Sequence, residues 1–100
     1  MPTRILSKRQ LTPVTKLYRL DAPLIAAAAR PGQFVIVRVH EDGERIPLTI
    51  ADYDREAGVI TIVVQEVGVT TRLLGALEEG EAIQDMVGPL GMAIDLAPGG

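Results

Sequence analysis

The run Gly68-Val69-Thr70-Thr71-Arg72 holds residue types that bind an anion through backbone N–H groups and hydroxyls. A glycine and two threonines ahead of Leu73, Leu74 and Leu77 at helical spacing predict a strand end, a tight turn and a buried-faced helix near residues 70–78. The first N–H groups of such a helix lack intrahelical partners and are met by a Thr70 or Thr71 side chain, by water or by an anion. Charge placement leans toward the anion. Arg72 falls in the predicted first turn, while Glu78, Glu79 and Glu81 lie at or beyond the last, with Gly80 as the stop. That reverses the usual order, in which each well-placed charge contributes roughly 0.3–1 kcal/mol. No acid completes a capping box, so the positive end stays open to phosphate. A short packing helix with unoptimised surface charges explains the same residues.

Other chemistry has little material. The chain has one histidine and no cysteine, and no serine stands beside a usable histidine, so nucleophilic and general-base catalysis lack their parts. His40, Glu41 and Asp42 are adjacent at a turn and cannot all converge on one metal ion. Carboxylates pair only on turns or at the helix end. A site for a phosphate-bearing redox cofactor needs none of these groups, because the cofactor carries the reaction and the protein supplies position and electrostatics.

Composition sets the frame. One hundred residues, 47% of them apolar, suit a single domain over 1–100 with a compact core. A net charge of −3, with no lysine or arginine stripe, argues against nucleic acid. No run approaches the roughly 18 apolar residues of a membrane span, and no signal-peptide hydrophobic region is present, so a cytoplasmic protein is expected. Alternation predicts strands over Arg4–Leu11 and Val14–Leu20, the second with Val14, Lys16, Tyr18 and Leu20 on one side. Leu24–Ala29 reads equally as a single helical turn or an extended connector. Gln33–Val39 and Ile46–Ala51 follow as strands about the Asp42-Gly43 turn. Val59–Val64, apolar on both faces, predicts a central, doubly covered strand. Ala82–Val87 predicts a last strand, stopped by Gly88-Pro89-Leu90-Gly91. Leu96–Gly100 reads as loop, where more chain would follow. The sum is an all-β chain, a six-stranded antiparallel barrel with one short capping helix.

Four motifs in order then resemble a family. Pro31-Gly32-Gln33-Phe34-Val35, Arg45-Ile46-Pro47-Leu48-Thr49, Gly68 to Leu74 and Gly88-Pro89-Leu90-Gly91 look like the flavin-binding domain of the ferredoxin–NADP reductase superfamily. The resemblance covers nearly the whole chain. It is nearest to electron-transfer subunits of the dihydroorotate dehydrogenase, sulfide dehydrogenase and NADH-dependent ferredoxin:NADP oxidoreductase type. It implies a Greek-key barrel holding FAD, with the diphosphate at Gly68, Val69, Thr70 and Thr71, Thr49 beside the flavin N5, Pro47 and Leu48 against the ring, and Val63, Val64 and Gln65 along the ribityl chain. The family motif is commonly Arg-x-Tyr-Ser/Thr. Here Ile46 and Leu48 take the arginine and tyrosine places, and Arg45 stands one residue early, facing away from that place unless a bulge at Pro47 intervenes. The resemblance also implies an NAD(P)H-binding domain missing from this chain and an iron–sulfur partner subunit or ferredoxin. The implied function is electron transfer between these, with no activity expected of the chain alone; a non-enzymatic β-barrel interaction module is the alternative.

Overall fold

The structure, a computed structural model, describes residues 2–92; the predicted terminal loop at 96–100 lies outside the described residues. Seven strands form one antiparallel sheet: β1 (Thr3–Thr12), β2 (Thr15–Asp21), β3 (Phe34–Arg38), β4 (Arg45–Asp54), β5 (Val59–Gln65), β6 (Ala82–Ile83) and β7 (Asp85–Leu90). Two helices interrupt them, α1 (Pro23–Ala28) and α2 (Val69–Gly75). Strand order is β6-β1-β2-β5-β4-β3-β7. Strands β3, β4 and β5 follow one another in hairpins, and β2 lies beside β5 after a long crossover through α1, which is Greek-key connectivity.

The count of seven corrects the expected six. The segment predicted as one strand over Ala82–Val87 breaks at Gln84. Its first part pairs β1 through Thr3↔Ile83, and its second pairs β3 through Arg38↔Asp85. The two outer strands of the sheet are therefore consecutive in sequence, and the bend carries the chain from one edge to the other. The predicted stop at Gly88 is also displaced. Strand β7 runs on to Leu90, with three steps from Val87 to Leu90 set against two from Ile36 to Phe34. Gly88 sits in that irregularity at φ 157°, and a Cβ there would stand 2.9 Å from Val35 Cγ1.

Inward residues alternate as the sequence pattern predicts. Tyr18 and Leu20 of β2, Val35 and Val37 of β3, and Ile60, Ile62 and Val64 of β5 are fully buried with Ile5, Leu74 and Ile83. The expectation that β5 is covered on both faces fails, because Val63 and Gln65 turn outward and are exposed. A small barrel has one core, so an apolar residue on the outer face of even a central strand meets solvent or a ligand.

A second helix also corrects the expectation of one. Pro23 opens α1, where its missing N–H costs nothing. Ala26 and Ala29 are fully buried, and Arg55 Nη2 donates to the Ala29 carbonyl at 2.7 Å just past the helix end. Helix α2 closes one end of the barrel with Leu74. It packs close to Glu66, whose carboxylate pairs with Lys16; the two side chains are only 16% and 12% exposed. A Cβ on Gly75 would lie 2.7 Å from Glu66 Cδ and 2.9 Å from its Cγ. Gly75→Ala is accordingly expected to lower stability by about 1–3 kcal/mol through overpacking, where an exposed helix position would gain up to about 1 kcal/mol. Urea denaturation checks the sign.

Candidate cofactor site

The predicted site residues sit on three elements. In β4, Ile46, Leu48 and Ile50 turn toward the core while Arg45, Pro47 and Thr49 are exposed on the outer face. The β3–β4 ladder runs without interruption from Arg38↔Arg45 to Phe34↔Thr49. No bulge occurs at Pro47, so Arg45 keeps the face of Pro47 and Thr49, opposite to Ile46. In β5, Val63 and Gln65 face outward and Val64 is fully buried. A ligand on the outer surface would meet Leu48 and Val64 through their backbone.

The loop into α2 is held by one hydroxyl. Thr71 Oγ1 accepts from the Val67 N–H at 3.0 Å and the Gly68 N–H at 2.9 Å, and lies 3.1 Å from the Gly68 carbonyl, to which it donates. These bonds fasten the approach to the helix. The N-cap is Gly68, which has no side chain to accept from the helix's own first N–H groups. With its hydroxyl turned back on the loop, Thr71 leaves that cap open, and no acid stands in the first turn.

The reversed charge pattern has a different cause from the one first suggested. Lys8 Nζ pairs with Glu78 at 3.0 Å, the Lys8 N–H donates to Glu79 at 3.3 Å, and Glu81 accepts from the Glu78 N–H at 2.8 Å. These acids tie the α2–β6 connection to β1. Arg72 lies within a helix so short that its first and last turns overlap.

Two concavities gather six of the predicted residues, Pro47, Thr49 and Gly68 to Thr71, while Arg45, Leu48, Val63, Val64 and Gln65 line neither. One of about 390 Å³ is lined by Gly32, Phe34, Pro47 and Thr49. The other, of about 300 Å³, is lined by Glu44, Ile46 and the run Val67, Gly68, Val69, Thr70, Thr71. Sequence reasoning left Gly32, Phe34, Glu44, Ile46 and Val67 out of the site. The signal for Phe34 was present in the Pro-Gly-Gln-Phe motif, but its place across from Thr49 is a matter of strand pairing. Gln33 of that motif is spent on structure: its side chain accepts from Arg30 N–H and donates to the Gly91 carbonyl, both at 2.9 Å. A further concavity of about 460 Å³ between the start of β1, α1 and β7 contains none of the predicted residues.

Gly68 tests whether this surface fits a diphosphate. Its φ of −154° and ψ of −177° are extended backbone open to any residue. Apart from its chain neighbours, no heavy atom of the described residues lies within 4 Å of where its Cβ would be. The fold does not need a glycine there, and the space a side chain would fill is vacant beside uncapped N–H groups. Those are the properties of a backbone cradle for phosphate oxygens.

No family model matches the chain. A protein in the adh 3′ region of Clostridium beijerinckii, described as uncharacterised, is 52% identical over 89 residues, 89% of this chain and 30% of that protein. A homolog of the electron transfer subunit of dihydroorotate dehydrogenase B (NAD(+)) from Thermotoga maritima is 53% identical over 72 residues, 72% of this chain and 26% of that protein. Among solved structures, an NADH-dependent reduced ferredoxin–NADP oxidoreductase studied for flavin-based electron bifurcation superposes with a TM-score of 0.92 and 42% identity, covering 95% of this chain and 34% of that one. The cytochrome b5 reductase domain of Ulva prolifera nitrate reductase, at 18% identity and a TM-score of 0.68, shares the fold. The chain thus spans between 26% and 40% of the length of these four proteins.

Proposed function

Because the chain belongs to the ferredoxin–NADP reductase-like flavin-binding barrels, we propose that residues 1–100 bind FAD and serve an electron-transfer subunit. That subunit would pass electrons between NAD(P)H, held by a domain outside this chain, and an iron–sulfur partner subunit or ferredoxin. The open space at the Gly68 Cβ position carries the reading, since no contact with the described residues requires a glycine there. The names of the relatives, which mention NAD(+), NADH and ferredoxin, support the nicotinamide and ferredoxin classes. Among the described residues no helix is long and apolar enough to cross a membrane.

Bound FAD would supply hydride acceptance and one-electron release. The chain's own residues would bind and orient it. Uncapped N–H groups at Gly68 to Thr71 would hold the diphosphate, with the Thr70 hydroxyl as an added donor. Thr49, outward on β4, would offer its hydroxyl to the flavin ring, and Phe34 with Pro47 would provide an apolar wall. Val63 and Gln65 would flank the ribityl chain. No side-chain acid or base is required. A cofactor-free interaction module needs neither the uncapped helix nor the outward Thr49.

Fluorescence titration with FAD tests the reading. Micromolar retention of the dye is expected, and a protein that retains none overturns it. The two threonines should separate. Thr70→Val is expected to weaken FAD about 5- to 10-fold, the roughly 1 kcal/mol of one net hydrogen bond, with little change in stability. Thr71→Val removes the bonds at Val67 and Gly68 and should cost about 1–2 kcal/mol of stability. If both act only on stability, the diphosphate lies elsewhere.

A further inference from the structure

Gly91, the residue after β7, stands against one wall of the concavity lined by Gly32, Phe34, Pro47 and Thr49. That wall is Phe34, which pairs with Thr49 of β4 on one side and with Leu90 of β7 on the other. A Cβ on Gly91 would lie 2.9 Å from Phe34 Cε1 and 3.1 Å from Cδ1. Its backbone takes φ 86°, in the left-handed region. Its carbonyl is tied down as well: Gln33 Nε2 donates to it at 2.9 Å, while the other end of the same amide accepts from the Arg30 N–H.

Backbone conformation alone does not explain the arrangement. A left-handed angle asks for glycine or asparagine, but it asks neither for a phenyl ring in contact nor for a side-chain amide that holds the carbonyl. The strand order supplies a reason. Because β3 lies between β4 and β7, a side chain at position 91 would push the Phe34 ring toward Thr49 and narrow the concavity. The bare Gly91, held in place by the residue that precedes Phe34, keeps that space open.

We infer that Gly91 is a positioning residue: its missing side chain, with its carbonyl fixed by Gln33, holds the Phe34 ring clear of Thr49 so that the concavity admits a planar isoalloxazine ring. This rests on the FAD reading above and assigns a part to the Gly88–Gly91 motif. A glycine kept only for its backbone angle acts on the fold alone. A glycine kept for the ring acts on the ligand, and only through Phe34.

The experiment is a double-mutant cycle on FAD affinity in the 100-residue chain, with Gly91→Ala and Phe34→Leu. It is read by flavin fluorescence and by the visible absorption band of the bound flavin, alongside thermal midpoints. Gly91→Ala should weaken FAD about 5- to 10-fold and move the band. In the Phe34→Leu background, where the smaller side chain can yield, it should do neither. Any stability lost to the strained angle is common to both backgrounds. An equal loss of affinity in the two backgrounds, an unmoved band or an unchanged affinity overturns the inference. Should Gly91→Ala fail to fold, Gln33→Glu keeps an acceptor for the Arg30 N–H and loses the donor to Gly91; it should weaken FAD only when Phe34 is present, and an effect of equal size without the ring overturns the assignment. A wild-type chain that retains no FAD overturns the flavin reading and this inference together, whereas FAD retained without coupling between Gly91 and Phe34 removes this inference alone.

Discussion

Gly68→Val is expected to weaken FAD binding about 100-fold while costing about 1 kcal/mol or less of stability, the usual range for an N-cap lacking a side-chain acceptor. The separation follows from two features of one residue. Its backbone is extended, a region β-branched residues prefer, and the Cβ direction is clear of protein atoms to 4 Å. The protein therefore accommodates valine. A phosphate approaching the N–H groups of the first turn does not, because the isopropyl group would occupy its place. Losing two hydrogen bonds to charged oxygens, at the low end of about 1.5–3 kcal/mol each, sets the size of the effect. Circular dichroism melting and flavin titration on the same variant give the two readings. Equal affinity for valine and wild type would place the diphosphate away from α2. An equal loss in the fold would make the glycine structural.

The second large effect belongs to Tyr18, which is fully buried. Its single phenolic proton is shared between two carbonyls at the end of α2, Leu74 O at 2.8 Å and Leu77 O at 2.9 Å. This side chain joins β2, the barrel core and the helix that carries the proposed diphosphate site. Tyr18→Phe keeps the ring and takes the hydroxyl donor from both carbonyls, Leu74 O keeping the Leu77 N–H at 3.1 Å, a cost of about 1–3 kcal/mol. Tyr18→Ala adds a cavity and should cost about 3–5 kcal/mol, a large share of the roughly 5–15 kcal/mol total of a small domain. Burial first, and then the nearby carboxylates Glu78, Glu66 and Glu81, push the phenol well above its ordinary value of 10.0.

The sign of the pH dependence follows. Above about pH 10 the unfolded chain releases this proton while the folded chain keeps it, so stability falls as pH rises. The contribution is fully present below the unfolded value. Urea melts at neutral pH and at about pH 11 should show wild type losing part of its advantage over Tyr18→Phe. An advantage that is constant or grows with pH contradicts the buried, donating phenol.

Much of this fold was written in local pattern. The period-2 alternation of Val14 to Leu20 put Tyr18 and Leu20 on one face, and the structure makes that face the buried one. The glycine–threonine run marked the start of α2 because turn and cap chemistry act over a few residues. What failed was whatever needed a distant partner. Ala82–Val87 read as one strand because nothing within it reveals that β6 meets β1 and β7 meets β3. Helix α1 was ambiguous because six residues cannot hold a helix without the packing that buries Ala26 and Ala29. Val63 read as buried because apolarity says nothing about which face a barrel leaves open.

For the site the division is similar. The sequence by itself determined the order of the glycine–threonine, Pro47–Thr49 and Gly88–Gly91 motifs, hence the barrel and the flavin-domain resemblance. Its reversed helix charges pointed to an anion for a reason the tertiary structure replaces, since Glu78 and Glu79 serve Lys8 across the chain. Only the tertiary structure decided that no bulge at Pro47 moves Arg45 off the face it shares with Thr49, and that Thr71 is spent on its own loop. The physical reason is range. Backbone propensity and side-chain alternation act between neighbours in the chain, whereas the direction of a guanidinium or the vacancy beside Gly68 depends on atoms brought there from strands tens of residues away.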